Sequence, residues 1–532
     1  MMGRWVVQLA MLAMIATAAP AAAQIAQARV TGGEVAGSVV DGLSMFKGIP
    51  FAAPPVGELR WKAPQPVAPW SGVRQTTAFG AGCMQNPVMA RQMGADVPLS
   101  EDCLFIDVWT PAKTPGERLP VIAWIYGGGF NGGMTSVPLY DGANLARKGV
   151  VFVSISYRVG PFGFLATPEL SRESGHGSGN YGLLDQIAGL KWVQANIARF
   201  GGDPTKVTLL GHSAGAYAVS MLAASPMAKG LFRGVIAESG ANFTPAQDTP
   251  WEGTNFQTLR MAEAAGKTWL EGLGAHSLTE ARALPAQTVE EAQRAKGAPR
   301  FWPPLDGYVI PGDQYQLWQA GRFNDTPVLI GNNSDEAASF GVRKLAPADF
   351  EAEVRQGYGA KADAILAAYP HADEAQATLA GKQLRRDTSF AWNAYTWARL
   401  QSSAGKGKAY VYWFDRPSAR DPDGSGHGQE VGLVFGNLGL PGRAPSTPED
   451  QAISLKMQSY WIDFATSGDP NGPGLRPWPA FTAAQPKVMR IGVDPGAAPV
   501  PNLDKLKALD AYYAWRRTEK QVAISAAPLQ LK

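Results

Sequence analysis

Ser213 stands in Gly211-His212-Ser213-Ala214-Gly215, between the apolar run Val207-Thr-Leu-Leu210 and a helix-like stretch from Tyr217 to Ala224. A serine hydroxyl is a weak nucleophile until a base takes its proton and a carboxylate orients that base. The G-x-S-x-G spacing suits a tight strand-to-helix elbow that lifts the serine above a sheet. The pentapeptide alone is a weak signal, and the flanking strand and helix give it weight. The chemistry it would serve is acyl transfer.

Five histidines are available as the base. His212 adjoins Ser213 on the turn and is expected to project away from it as a structural elbow residue. His176 lies in a Gly/Ser loop and His276 and His371 in helical text, where solvent is the expected environment. His427 differs: it sits in the Gly-rich segment Asp423-Gly-Ser-Gly-His-Gly-Gln-Glu430, downstream of the strand-like Ala409–Phe414, in what reads as a flexible loop. For the acid, Gly331-Asn-Asn-Ser-Asp-Glu336 follows the run Val328–Ile330. Asp335 or Glu336 could serve, and either could instead cap a following helix. The order serine, acid, histidine is the chain order of an α/β hydrolase.

The oxyanion of acyl transfer needs fixed N–H donors, each worth ~3–4 kcal/mol. Gly127-Gly128-Gly129 ends the run Val121–Tyr126 and can offer backbone amides at close range. The amide of Ala214 is expected to add a third. No H-E-x-x-H occurs, and His427 with Glu430 three residues on makes a poor metal site. Neither a metal nor another cofactor is expected.

These groups must be held at strand ends. Apolar runs at Val121–Tyr126, Val150–Ser156, Val207–Leu210, Val235–Ala237, Val328–Ile330 and Ala409–Phe414 are near-continuous, as in strands buried on both faces. Between them, Leu183–Phe200 places Leu184, Ile187, Leu190, Val193 and Ile197 at helical steps. The pattern predicts an α/β fold with a mostly parallel central sheet flanked by helices, its ligands beyond the carboxyl ends of the strands. Two Ala-rich stretches, about 251–323 and 345–401, read as helical insertions that cap the sheet and shape a pocket. No repeat or linker divides the chain, so residues 24–532 are expected to form a single domain.

Composition narrows the partners. With 48 Lys+Arg against 45 Asp+Glu among 532 residues and no basic block, a nucleic-acid partner is not expected. Charged residues are 17% of the chain, too few for a disordered protein. Arg4, the apolar stretch Trp5–Ala19 and Pro20-Ala-Ala-Ala23 form a secretory signal pattern, with cleavage expected after Ala23. The apolar run falls short of the ~20 residues of a membrane span, so the mature chain is expected to be exported, periplasmic or secreted, with no stable membrane anchor. In that oxidising setting the two cysteines, Cys83 and Cys103, are expected to pair, stabilising by about 3 kcal/mol through loop closure.

Taken together, these segments resemble the type-B carboxylesterase/lipase family, which includes bacterial para-nitrobenzyl esterases and the cholinesterases. The resemblance runs from about Gly37 to Ala514. It is carried by Phe46-Lys-Gly-Ile-Pro-Phe-Ala52 with Pro54-Pro-Val-Gly57, Ser100-Glu-Asp-Cys-Leu104, Tyr126-Gly-Gly-Gly-Phe130, Asn180-Tyr-Gly-Leu-Leu-Asp-Gln186, Phe200-Gly-Gly-Asp-Pro204 and Gly211–Gly215. It implies the α/β-hydrolase fold and Ser213, Glu336 and His427 as nucleophile, acid and base, favouring Glu336 over Asp335. It further implies Gly128, Gly129 and Ala214 as the oxyanion hole, a Cys83–Cys103 bridge, ion pairs Arg60–Glu101 and Arg158–Asp185, and Ser239 as a partner of Glu336.

The chain departs from the family in two places. Met84–Asp102 contains no aromatic residue, so the tryptophan with which cholinesterases hold a quaternary ammonium is absent. Ala337 follows the acid where the family usually has glycine. Four insertion aromatics, Phe301, Trp302, Trp392 and Trp397, could line a pocket or simply fill helix cores. The expected activity is hydrolysis of small to medium apolar or xenobiotic esters through an acyl-enzyme, by a monomer or weak homo-oligomer. The alternatives are a lipase, or a polyester, toxin-ester or pollutant-ester hydrolase, on the same triad, and a non-catalytic binding protein of the same fold.

Overall fold

The computed structural model describes residues 24–246, 256–417, 422–441, 445–492 and 494–524, the last six by backbone alone. The expected signal segment 1–23 and Trp251, where the first insertion was placed, lie outside the described residues.

Eleven strands form the central sheet: β1 (Ser38–Val40), β2 (Leu43–Pro50), β3 (Phe105–Thr110), β4 (Leu119–Ile125), β5 (Val151–Ile155), β6 (Gly202–His212), β7 (Gly234–Glu238), β8 (Val328–Asn333), β9 (Ala409–Phe414), β10 (Lys487–Ile491) and β11 (Gly496–Pro499). Their spatial order is β11-β10-β9-β8-β7-β6-β4-β5-β3-β2-β1. From β5 through β10 neighbouring strands are parallel, and antiparallel pairs close both edges. A separate three-stranded sheet joins Gln27–Val30, Gly33–Ala36 and Val73–Gln75.

Parallel neighbours require crossovers. Helix α1 (Tyr181–Asn196) lies between β5 and β6, and α2 (Ala214–Ala224) joins β6 to β7. Every residue of α2 is buried, consistent with an Ala-rich helix pressed against the sheet. The chain runs from β4 outward to β5 and returns past β4 to β6, so the order reverses between β4 and β6. Crevices at such a reversal are where open α/β sheets bind ligands. Both Gly127–Gly129 and Ser213 follow these two strands.

The six strands expected from apolar runs are present, β6 reaching further back to Gly202 across an irregularity in its register. The sequence reading did not identify β1, β2, β3, β10 or β11. The reason is compositional: β2 carries Lys47 and Gly48, and β3 carries Asp107. Asp107 is fully buried and accepts the Gly48 amide at 2.7 Å. Burial lifts its pKa to about 6.

The Ala-rich stretches fold as helices between consecutive strands. Leu259–Gly272, Leu278–Ala283, Ala286–Ala292 and Gln314–Gln319 fall between β7 and β8. Pro347–Tyr358, Ala362–Ala368, α3 (Glu374–Arg386) and α4 (Trp392–Ala404) fall between β8 and β9. Five residues of π-helix, Asp387–Ala391, connect α3 to α4.

Polar pins tie the strand ends together. Tyr126 and Tyr157 stack at 4.5 Å, and each hydroxyl donates to the other's carbonyl oxygen. Arg158, just past β5, donates to both Asp185 oxygens at 2.8 and 2.7 Å, fixing α1. Arg60 donates to both Glu101 oxygens at 2.6 Å and to Leu284 O at 2.7 Å, reaching the insertion helices. Cys83 and Cys103 are joined beside this pair. Asp185 is wholly buried and Arg158 nearly so, so removing one partner leaves an uncompensated charge. Asp185→Ala is expected to cost about 3–5 kcal/mol, read as a lower chemical-denaturation midpoint. An unchanged midpoint would show that the pair does not hold α1 in place.

Candidate active site

Ser213 caps α2 with φ 54° and ψ −125°, a conformation a non-glycine residue rarely holds. The elbow is tight on both sides. A Cβ on Gly215 would sit 2.0 Å from Ile125 O, and one on Gly211 would sit 2.5 Å from the Gly215 carbonyl carbon. Larger residues would therefore push α2 off β4. The strained turn is held by the Ser213 amide donating to Glu238 O at 2.8 Å and the Tyr217 amide donating to Ser213 O at 2.9 Å. The Ser213 hydroxyl is not used in capping the helix and faces His427.

His427 Nε2 lies 2.8 Å from Ser213 Oγ, and His427 Nδ1 lies 2.6 Å from Glu336 Oε2. Glu336 is fully buried. Its other oxygen accepts the Ser239 hydroxyl at 2.6 Å and the Asn333 amide at 2.7 Å. Asp335, the competing acid in the sequence, turns to Lys382 at 2.8 Å. Burial pulls the His427 pKa down, but the adjacent Glu336 outweighs it and the net shift is upward.

The loop around His427 is pinned rather than flexible, which corrects the sequence expectation. Asp335 N donates to Ser425 O at 2.9 Å, Ser425 N to Ser334 Oγ at 2.9 Å, and Asn333 Nδ2 to Gly426 O at 2.7 Å. Ser425 itself is fully buried. The glycines of the segment allow close packing here instead of mobility.

His212 also differs from expectation. It is still within β6, in register with Glu238, so the turn begins only after it. Its ring lies against that of His427, centroids 4.7 Å apart, with Nε2 3.8 Å from Glu430 Oε1. Burial, reinforced by His427, holds its pKa well below the usual histidine value, so it stays neutral. His176 stacks on Tyr308, and His371 bonds Tyr369 O at 2.8 Å; neither these nor the exposed His276 approaches the serine.

Two further carboxyls are buried at the site: Glu430, which the sequence reading weighed only as a poor metal ligand, and Glu238, to which it gave no role. Glu430 takes the Asn333 side-chain amide at 2.5 Å and lies 3.2 Å from Ser239 Oγ. Glu238 accepts from Trp461 Nε1 at 2.6 Å. Burial first, and then the charge of a neighbouring glutamate, pushes both pKa values upward. Ser239 has one hydroxyl proton, committed at the shorter distance to Glu336, so a protonated Glu430 can donate to the Ser239 oxygen. The spacing of Glu430, three residues after His427, was the one available signal.

Gly128 and Gly129 form the loop after β4 with φ 127° and 64°. A Cβ on Gly128 would collide with Gly132 O at 2.2 Å. Among the described residues, the amides of Gly128, Gly129 and Ala214 find no protein acceptor, which leaves three donors beside Ser213. Aromatic rings wall the site. Phe340 and Phe390 each lie 5.0 Å from His427, while Trp302 packs on Phe130 at 5.2 Å and Tyr217 at 5.5 Å. Of the four insertion aromatics, only Trp302 reaches this neighbourhood. Phe301 packs on Trp269, Trp397 on Phe243 and Trp318, and Trp392 on Tyr513, all in buried cores.

Comparison with known proteins agrees with this arrangement. Residues 20–507 match the sequence model of the carboxylesterase family. The chain is 36% identical over 513 residues to a fumonisin B1 esterase of Sphingopyxis macrogoltabida, covering 91% of this chain and 90% of that one. It is 36% identical over 473 residues to the para-nitrobenzyl esterase of Bacillus subtilis, covering 84% and 91%. A solved PNB esterase structure superposes with a TM-score of 0.78 at 32% identity, covering 91% of this chain and 99% of that one. A doubly covered α/β sheet, a serine on a strained elbow between β6 and α2, and likeness along nearly the whole chain converge on one conclusion: this protein belongs to the carboxylesterase family, has the α/β-hydrolase fold and is a serine hydrolase of carboxylic esters.

Proposed function

We propose that Ser213, His427 and Glu336 are the catalytic triad of this esterase, that Gly128, Gly129 and Ala214 supply its oxyanion hole, and that Ser239 positions Glu336. The observation that carries this reading is the unbroken hydrogen-bonded line from Ser213 Oγ through His427 to buried Glu336. Ser213 Oγ attacks the ester carbonyl carbon while His427 Nε2 takes its proton. The carbonyl oxygen becomes an oxyanion facing the three free amides. As the C–O bond to the alcohol breaks, His427 returns the proton to the leaving oxygen. Water then repeats the sequence on the acyl-enzyme, releasing the acid and restoring the Ser213 hydroxyl. Glu336, bonded to Nδ1, orients the ring and stabilises the transient imidazolium.

The aromatic walls formed by Phe340, Phe390 and Trp302 favour small to medium apolar acyl or alcohol groups, xenobiotic esters included. Residues 1–23 are read as an export signal cut after Ala23, with the remaining chain acting in the periplasm or outside the cell as one hydrolase domain, its Cys83–Cys103 bridge formed there. Among the described residues no helix is long and apolar enough to cross a membrane.

Hydrolysis of p-nitrophenyl acetate, butyrate, octanoate and palmitate by the wild type and Ser213→Ala tests the assignment. The short esters are expected to turn over, with the variant slower by on the order of 10⁶-fold in kcat. A variant that keeps wild-type rates rules Ser213 out. A second expectation concerns pH. Only neutral imidazole is a base, and Glu336 raises the His427 pKa. The acid limb of kcat/KM should therefore lie above the ordinary histidine value of ~6.5. In Glu336→Gln the raising charge is gone and burial dominates, so the limb should move to lower pH while kcat falls on the order of 10⁴-fold. A limb that stays in place in that variant would mean another group sets it.

A further inference from the structure

Arg300 is a partly buried guanidinium with no opposite charge beside it. Its Cζ lies 3.6 Å from the centroid of the Trp302 ring, the stacking that suits arginine on an aromatic face. Trp302 in turn rests edge-on against Phe130 and Tyr217. Phe130 directly follows Gly129 of the oxyanion loop, and Tyr217 lies one helical turn beyond Ser213, bonded to its carbonyl. One layer of aromatic side chains therefore separates the guanidinium from both the nucleophile's helix and the oxyanion loop. Burial lowers the Arg300 pKa to about 10, offset only in part by Tyr217, so the group remains a cation at neutral pH.

Four buried arginines are matched by carboxylates: Arg60 by Glu101, Arg158 by Asp185, Arg282 by Glu173 and Arg386 by Asp387. Among the described residues Arg300 has no such partner. A desolvated unpaired charge is destabilising, and next to a reaction centre the natural compensation is an anion that arrives with the substrate. The planar guanidinium fork fits a carboxylate through two parallel hydrogen bonds. On the other flank the exposed Arg385 lies 5.0 Å over Phe340, whose ring is 5.0 Å from His427, so a second cation fronts the same site.

We propose that Arg300 is a specificity residue that selects esters carrying a second, ionised carboxylate, borne on either the acyl or the alcohol part. This deepens, and rests on, the reading of Ser213, His427 and Glu336 as the triad. Recognition draws on the cation's missing partner, because a neutral isostere leaves Arg300 as unpaired as it is in the free enzyme.

The test compares kcat/KM for matched esters. Mono-p-nitrophenyl glutarate against p-nitrophenyl butyrate places the carboxylate on the acyl side, and 4-carboxyphenyl butyrate against phenyl butyrate places it on the alcohol side. In the wild type at low salt, one anionic ester is expected to exceed its neutral partner by about tenfold or more, with the preference shrinking as salt rises. In Arg300→Gln that ratio is expected to fall to about one or below, and in Arg300→Lys to an intermediate value. General damage to the site lowers both rates and leaves the ratio, so an unchanged ratio in Arg300→Gln overturns the proposal. So does a wild type with no anionic preference in either pair, a result that needs no variant to fold. Should Ser213→Ala hydrolyse the neutral esters as fast as wild type, the triad reading fails instead, separately from Arg300.

Discussion

Glu336 is a carboxylate with no access to solvent, and the geometry of the whole site follows from keeping its charge there. An isolated carboxylate moved into a protein interior costs several kcal/mol, so its oxygens must be occupied. One oxygen takes His427 Nδ1, and the other takes the Ser239 hydroxyl and the Asn333 amide. These three partners come from the His427 loop, the end of β7 and the end of β8. Satisfying one buried charge thus fixes two strand ends and the His427 loop relative to one another. It also fixes the His427 ring, whose remaining nitrogen then points at Ser213.

The same charge determines what its neighbours can be. Three carboxyls, Glu336, Glu430 and Glu238, share a buried region, and like charges at that range do not all ionise. Glu430 and Glu238 shift upward in response to burial and to a neighbouring carboxylate. His212, packed on His427, shifts downward and adds no second cation. The strained backbone of Ser213 is a second cost, of about 1–3 kcal/mol, absorbed by the packing of α2 against β4 and β6.

The carboxylates set against Arg60, Arg158, Arg282 and Arg386 are what make Arg300 conspicuous. Where buried cations support the fold, as at Arg60 and Arg158, each meets a carboxylate through two hydrogen bonds. A cation left on an aromatic layer beside the reaction centre belongs to a different economy, in which selectivity among substrates replaces stability of the free protein.

Some of this was readable from residue order. The parallel strands are near-continuous apolar runs because both faces are covered, and β9 was located to the residue at Ala409–Phe414. Ser213 and the glycine run announce themselves through local spacing, since an elbow and a close-approach loop are built from adjacent residues. The antiparallel edge strands were not readable, because Lys47, Gly48 and a buried Asp107 break the pattern and find their partners only across the sheet. The residues alone left Asp335 and Glu336 equivalent; one faces Lys382 and the other His427 only because α3 and the His427 loop meet β8 from different sides. The packing of His212 on His427, the raised pKa of Glu430 and the unpaired charge of Arg300 depend on groups brought together from distant parts of the chain. The sequence by itself determined the fold and the kinds of groups that could react, because those are written in local periodicity and short spacings. The tertiary structure alone shows Glu336 rather than Asp335 bonded to His427, His212 packed on that ring and Arg300 without a carboxylate, because burial and charge pairing are properties of neighbours in space.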